Sequence, residues 1–286
     1  HPHKRKGHAS GFPGSSASAL RRRQNPLRGL FMRIFVPVWW LDRYPETRKP
    51  VGFVFHPPRR TAGHGDTPMK TAAIDIETTG TAPDDRITVI GIDIPMGSRL
   101  FLNTAGREYA DAISERLGDE FERVVKITVC DSEQALLEGF RTFVTDRFAT
   151  GDRSDRDEFK YAAYNGETWN GGFDLPFIRT RCRKHDLAWP LRGPYIEVMD
   201  VIGDRFNVSG NSLETTYSEL VGEGLNTRDP FEESGEAVRS WADGAFEPLL
   251  RHNLVDIRRT RELVTVAERY CSPSHFSMRS LEPVDP

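Results

Sequence analysis

Cysteine is scarce: the 286 residues hold three, Cys130, Cys182 and Cys271, far apart and with no CxxC pair. This excludes a disulfide framework or a thiolate zinc ribbon as the organiser of the fold, and a reducing compartment, the cytoplasm, is the expected location. Apolar residues are few as well, at 37%, against 28% charged. The one apolar island near the start, Leu30–Leu41 (LFMRIFVPVWWL), is broken by Arg33 and Pro37. It is too short to span a bilayer. It also lies too late in the chain, with no small-residue cleavage site after it, to be a signal peptide. There is no internal repeat. The composition is that of a soluble protein with a polar surface, and no membrane partner is expected.

The net charge of −3 hides a split. Residues 1–69 carry 13 Lys/Arg and 3 Asp/Glu, which leaves 26 basic and 39 acidic residues for 70–286, a balance of +10 against −13. His1–Arg23 is basic and rich in Ser and Gly, and Pro50–Pro68 is dense in Gly, Pro, His and Arg. Such a segment cannot bury enough apolar surface to offset its chain entropy, so residues 1–68 are expected to form a disordered leader. The competing roles are a basic arm that touches nucleic acid and a hook for a membrane or partner. Met69 stands two residues before the first strand. A protein starting there would keep every residue used below, so the leader is expected to be dispensable, an over-extended reading frame.

From Thr71 the pattern is that of one α/β domain over residues 69–272, followed by a tail, 273–286. Strands are expected at Thr71–Ile76, Arg86–Ile94, Arg99–Asn103, Val124–Val129, Tyr161–Tyr164 and, last, Tyr195–Met199, with Asp200 at its end. Helices are expected at Arg107–Leu117, from Asp131-Ser132-Glu133 to about Phe148, and at Asp174–His185, Ser212–Val221, Gly235–Trp241 and Phe246–Tyr270. Gly151–Glu158 is a charged loop. Early strands followed by alternating helices and strands point to a mixed sheet flanked by helices.

Three segments carry the chemistry. In Ile74-Asp75-Ile76-Glu77-Thr78-Thr79-Gly80, strand alternation puts Asp75 and Glu77 on one face, opposite Ile74 and Ile76. Two adjacent like charges repel unless a cation pairs them, and hard carboxylate oxygens suit Mg²⁺ or Mn²⁺. A polar strand end entering a turn explains the same residues. In Tyr161–Arg181, a short strand runs into a turn with Asn165, Asn170, Gly171 and Gly172, and Asp174 opens a helix as an N-cap would. Trp169 and Phe173 offer faces on which a base could stack, and the glycines let a backbone approach a ligand. In Leu250–Ile257, His252 and Asp256 are i and i+4 on one helix face, a ligand beside a proton-transfer group or simply a surface pair.

Asp-Ile-Glu-Thr-Thr-Gly, Asn-Gly-Gly-Phe-Asp-Leu-Pro-Phe and His-Asn-Leu-Val-Asp-Ile occur in this order. Together they resemble the three exonuclease motifs of the DEDD superfamily, most closely the small stand-alone ribonuclease H-like exonucleases and the proofreading domains of family-B polymerases. The resemblance covers roughly Lys70–Tyr270. It implies a ribonuclease H-like fold, a mixed five-stranded sheet flanked by helices. It further implies 3′–5′ exonuclease activity on single-stranded or frayed nucleic acid, DNA favoured. Asp75 and Glu77 match the first motif's acids, Asp174 the second's and Asp256 the third's. In the family these hold two divalent ions, Mg²⁺ or Mn²⁺, about 3.5–4 Å apart, which act on the attacking and leaving oxygens at phosphorus. Thr78, Thr79, Gly80, Asn165, Asn170, Trp169 and Phe173 are the implied substrate contacts, and Glu77 and His252 the implied catalytic pair.

The chain departs from the family at two points. The family has Tyr four residues before the last acid or His five before it; here His252 stands four before, and Arg251, which cannot be a base, stands five before. His252 is therefore expected to orient or deprotonate the attacking water. The stretch from Asn165 to Phe173 is also long, so either Asn165 or Asn170 can be the motif's asparagine. Asn211-Ser212-Leu213 through Leu220-Val221-Gly222 resembles the exonucleases' Ser-Leu…Leu-Gly helix, and amphipathic packing accounts for it nearly as well. The competing functions are a ribonuclease on the same fold, a non-catalytic nucleic-acid-binding accessory module, and an interaction protein built on the leader. A polymerase or repair partner would fit the leading reading.

Overall fold

The structure is a computed structural model that describes residues 69–148, 159–167, 172–233, 235–281 and 283. The leader 1–68, the loop Gly151–Glu158 and the segment carrying Trp169 and Asn170 lie outside the described residues.

Six strands form where alternation and β-branched residues mark them: β1 (Lys70–Thr78), β2 (Ile87–Ile94), β3 (Gly97–Asn103), β4 (Val125–Cys130), β5 (Phe159–Ala163) and β6 (Pro194–Glu197). A seventh, β7 (Arg279–Ser280), comes from the expected tail. They form one mixed sheet in the order β4-β3-β2-β1-β5-β6-β7, seven strands rather than five. β1, β2 and β3 are an antiparallel meander; β5 runs parallel to β1, β6 to β5 and β4 to β3, while β7 is antiparallel to β6. Two pairing residues make no sequence pattern, so the tail carries no strand signal. Its strand is fixed from outside, by the backbone bond from Leu281 to Gly193 and by the Trp189 indole donating to the Leu281 carbonyl.

Among the described residues seven helices cover the sheet: α1 (Ile113–Glu120), α2 (Glu133–Phe148), α3 (Asp174–Lys184), α4 (Val198–Arg205), α5 (Leu213–Leu220), α6 (Gly235–Ala242) and α7 (Phe246–Tyr270). Ser132 caps α2 through the Ala135 amide, and Ser212 caps α5 through that of Thr215. Both caps satisfy an otherwise orphaned donor.

Two expectations are corrected. The strand expected over Tyr195–Met199 stops at Glu197, because its partner β5 ends at Ala163, opposite Glu197. Asp200 then lies in α4, whose Val198, Val201 and Ile202 recur at helical spacing and are buried. The helix expected over Arg107–Leu117 begins only at Ile113. Arg107 is spent on the loop instead, donating to the Thr104 and Ala242 carbonyls and lying 4.3 Å over the Trp241 ring.

Alternation along the strands divides the core into two layers. Ile74, Ile76, Ile90, Ile92 and Phe101 pack against Leu136, Leu137 and Phe140 of α2 and Leu175 and Ile178 of α3. Val89, Leu100, Leu102, Ala162 and Ile196 pack on the opposite side against Leu249, Leu250, Leu254 and Ile257 of α7. Every residue of β2 is buried, which makes it the centre of a helix–sheet–helix sandwich. Because Ile74 and Ile76 take the α2–α3 side, Asp75 and Glu77 are directed toward α7. No helix among the described residues is long and apolar enough to cross a membrane.

Candidate active site

Strand alternation and one helix face build the site. β1 supplies Asp75 and Glu77, the first turn of α3 supplies Asp174, and α7 supplies His252 and Asp256 one turn apart. The structure thus brings all five together. His252 Nε2 lies 3.9 Å from Glu77 Oε1 and 3.7 Å from Asp256 Oδ2. The three can present ligand atoms within 4.8 Å of one another.

Asp174 does not cap its helix. Phe173 occupies the cap position, no side chain there bonds to the helix, and Asp174 is only 6% exposed. An acid at a helix start without a capping bond, and buried, has lost the ordinary structural reason for being there.

The electrostatics show how closely the acids are gathered. Burial, then the charges of Asp174, Glu77 and Asp256, hold the Asp75 carboxyl well above the usual carboxylate range, against one lowering hydrogen bond from Asn253. Burial, then Glu77, Glu197 and Asp256, do the same to Asp174. Burial raises Glu77 to about 7, although the positive charge of His252 opposes it. Asp256 is raised as well, chiefly by burial, against His252 and Arg259. The strongest charges acting on Asp75 and Asp174 are therefore all negative, whereas the cations His252 and Arg259 sit at the Asp256 end. Bound protons or a bound cation would relieve that crowding. Hard oxygen donors from three segments fit Mg²⁺ or Mn²⁺, so the donor set suits the implied metals.

Three further residues of the site lie outside the expected set. Asn253, fully buried, donates from Nδ2 to Asp75 Oδ2 at 2.8 Å. It has room because Gly91, paired with Asp75 across β1–β2, lacks a side chain; a Cβ there would lie 2.0 Å from Asn253 Oδ1. Asp229 Oδ1 pairs with His252 Nδ1 at 2.7 Å, and Arg259 Nη1 donates to both Asp229 Oδ2 and Asp256 Oδ1, each at 2.7 Å. For Asn253 a signal existed: it stands in the apolar stripe of α7, three residues after Leu250 and four before Ile257. Arg259 follows His252 at i+7 and Asp256 at i+3, again on one face. Asp229 lies in a loop and had none.

Of the expected substrate contacts, Thr78, Thr79, Gly80, Asn165 and Phe173 are described, several with structural work of their own, and Trp169 and Asn170 lie outside the described residues. Thr78 donates to the Gly80 carbonyl at 2.7 Å. Thr79 donates to Asp85 Oδ1 at 2.9 Å and accepts from the Arg86 amide, closing the β1–β2 turn around Gly80. Asn165 adopts a left-handed φ of 61°, its amide donates to Glu197 and its carbonyl accepts from Phe173. Glu197 also accepts from the Glu167 amide and the Tyr195 hydroxyl, so one buried carboxylate ties down the loop that leads to Asp174. Phe173 stacks on Phe177, ring centroids 5.0 Å apart, at the edge of the α2–α3 core.

No model of a known protein family matches the chain, and no curated protein is significantly similar to it in sequence.

Proposed function

We propose that the chain is a divalent-metal-dependent 3′–5′ exonuclease of the DEDD type that hydrolyses single-stranded or frayed nucleic acid, DNA in preference to RNA. The observation that carries this reading is the convergence of Asp75, Glu77, Asp174 and Asp256, drawn from three motifs in the expected order, on one point beside His252. Five contiguous strands, β3-β2-β1-β5-β6, with helices on both faces, fit the ribonuclease H-like sheet that the motifs imply.

Asp75, Glu77, Asp174 and Asp256 would hold two Mg²⁺ or Mn²⁺ ions, which when bound supply the positive charge that stabilises attacking and leaving oxygens at phosphorus. The protein's own part is to gather the acids in a partly dry site and to aim His252. Its Nε2 faces the carboxylates, placed to orient the attacking water, and to take its proton once bound cations offset the carboxylate charge that keeps the ring protonated. Burial opposes charge on this imidazole, but the Asp229 hydrogen bond and the carboxylates of Glu77 and Asp256 prevail and lift its pKa to about 9. The products would be 5′-nucleotides released from single-stranded 3′ ends. A polymerase or repair partner and a cytoplasmic location belong to this reading.

The test uses a 5′-labelled single-stranded DNA and the RNA of the same sequence, with Mg²⁺, Mn²⁺ or chelator. A ladder shortening from the 3′ end, dependent on metal and absent in Asp75→Ala, is the expected result. Shortening that persists in folded Asp75→Ala sinks the metal assignment. Preferential loss of the RNA makes the protein a ribonuclease, and binding without cleavage under any metal makes it an accessory module.

A further inference from the structure

The side of His252 that faces away from the acids is as ordered as the side that faces them. Asp229 Oδ1 meets Nδ1 at 2.7 Å, and the same carboxylate accepts from the Phe231 amide at 3.2 Å and from Arg259 Nη1 at 2.7 Å. Arg259 is 3% exposed, and its Nε donates to Asn226 Oδ1 at 2.8 Å. The segment from Asn226 to Phe231 is thus pinned to α7 at both ends. The ring of Phe231 lies against the imidazole, centroids 5.2 Å apart and planes at 58°.

We propose that Asp229, held by Arg259, is the positioning residue that fixes the His252 ring with Nδ1–H bound and Nε2 directed between Glu77 and Asp256. The consequence for catalysis rests on the exonuclease reading given above. A carboxylate only accepts, so Nδ1 must carry the hydrogen and Nε2 is the nitrogen left to face the reaction. Arg259 anchors the Asp229 carboxylate through Nη1. Without that anchor the imidazole can rotate about two side-chain torsions and exchange its nitrogens, because Glu77 and Asp256, 3.9 and 3.7 Å away, hold it less closely than Asp229 does. Because one Arg259 nitrogen bonds both Asp229 and Asp256, the proton-transfer group and a metal-holding acid share a single mount. An ordinary surface His–Asp pair at i and i+4, the simpler view of His252 and Asp256, would need neither Asp229 nor a buried arginine.

The experiment takes the full chain, ¹⁵N-labelled at histidine and loaded with Mg²⁺, and compares wild type with Asp229→Asn, His252→Asn and Asp75→Ala. In wild type a downfield, slowly exchanging Nδ1 proton is expected, absent in His252→Asn and moved upfield in Asp229→Asn. An asparagine amide can donate to Nδ1 and so favour the opposite tautomer. On the 5′-labelled single-stranded DNA, Asp229→Asn should lower kcat about 10²-fold or more. KM should stay within about twofold, the mark of a group needed for the step rather than for binding. Wild-type kcat in folded Asp229→Asn overturns the proposal, as does a wild-type His252 whose Nδ1 carries no hydrogen-bonded proton. Should Asp229→Asn fail to fold, the wild-type spectrum alone decides. Should wild type degrade neither DNA nor RNA, the exonuclease reading fails, and should Asp75→Ala remain fully active, its metal assignment fails, while in both cases the spectrum still reports whether Asp229 fixes the ring.

Discussion

Asn253 and Gly91 form a pair outside the expected set of site residues. An amide inside an apolar stripe is costly unless its hydrogen bonds are made; here Nδ2 is committed to Asp75, while Oδ1, over Gly91, is buried with no hydrogen-bond partner among the described residues. The acids of the first motif could be read from period-two alternation alone, because that argument needs only neighbours in sequence. Asn253 needed the register of α7 against β1 and β2, which lies in the packing of distant segments. A methyl group at position 91 would collide with Asn253 Oδ1 at 2.0 Å. Gly91→Ala should therefore cost about 1–3 kcal/mol of stability, as overpacked cores do, measured by urea unfolding. Adding Asn253→Ala frees the space, so the double variant should lose less than the sum of the two single changes. Strict additivity would mean that the amide does not sit over Gly91.

At the scale of elements, most helices and strands were legible, because their stripes and caps are local. What failed was fixed by partners: β6 ends where β5 ends, and the helix expected from Arg107 starts late because that arginine anchors a loop on Trp241. A second device of this kind is Glu133, at the start of α2. It accepts from the Ile87 amide of β2 and from Arg181 of α3 at 2.8 and 2.6 Å, with His185 at 2.9 Å. One carboxylate thereby joins two helices to the central strand. Burial works against its charge, but the Arg181, His185 and Ile87 bonds outweigh it and hold its pKa below the ordinary 4.5. A carboxyl depressed in the folded state contributes stability that is full above its unfolded pKa and fades as pH falls through the folded one. Glu133→Gln should cost about 3–5 kcal/mol near neutrality, because it leaves Arg181 buried without its partner. The penalty should shrink as pH drops below about 4.5, the ordinary glutamate value. An equal penalty at pH 7 and at pH 3 would mean that the carboxylate charge is not what matters.

For the whole molecule, the acidic balance of −13 over residues 70–286 and the carboxylate cluster pose one problem, the concentration of negative charge. The cluster's carboxyls are raised above their ordinary values, Glu77 from 4.5 to about 7, mainly by burial and by one another. The sign is opposite to that of Glu133: a group raised in the folded state binds more protons folded than unfolded. Its presence costs stability as pH climbs from its unfolded value toward its folded one. Protein freed of metal by a chelator should therefore lose melting temperature across the range from about 4.5 to about 7, in proportion to the protons the cluster gives up. A cation that binds only the folded site reverses this, by about 2.7 kcal/mol at a free concentration a hundredfold above Kd. Protons and metal compete for the same oxygens, so the gain from Mn²⁺ should be larger at pH 8 than at pH 5. Asp174→Asn separates this account from general screening. Removing one of four crowded negative charges should raise the melting temperature of the metal-free protein and abolish the Mn²⁺ shift, whereas a merely structural Asp174 would lower the first and leave the second intact.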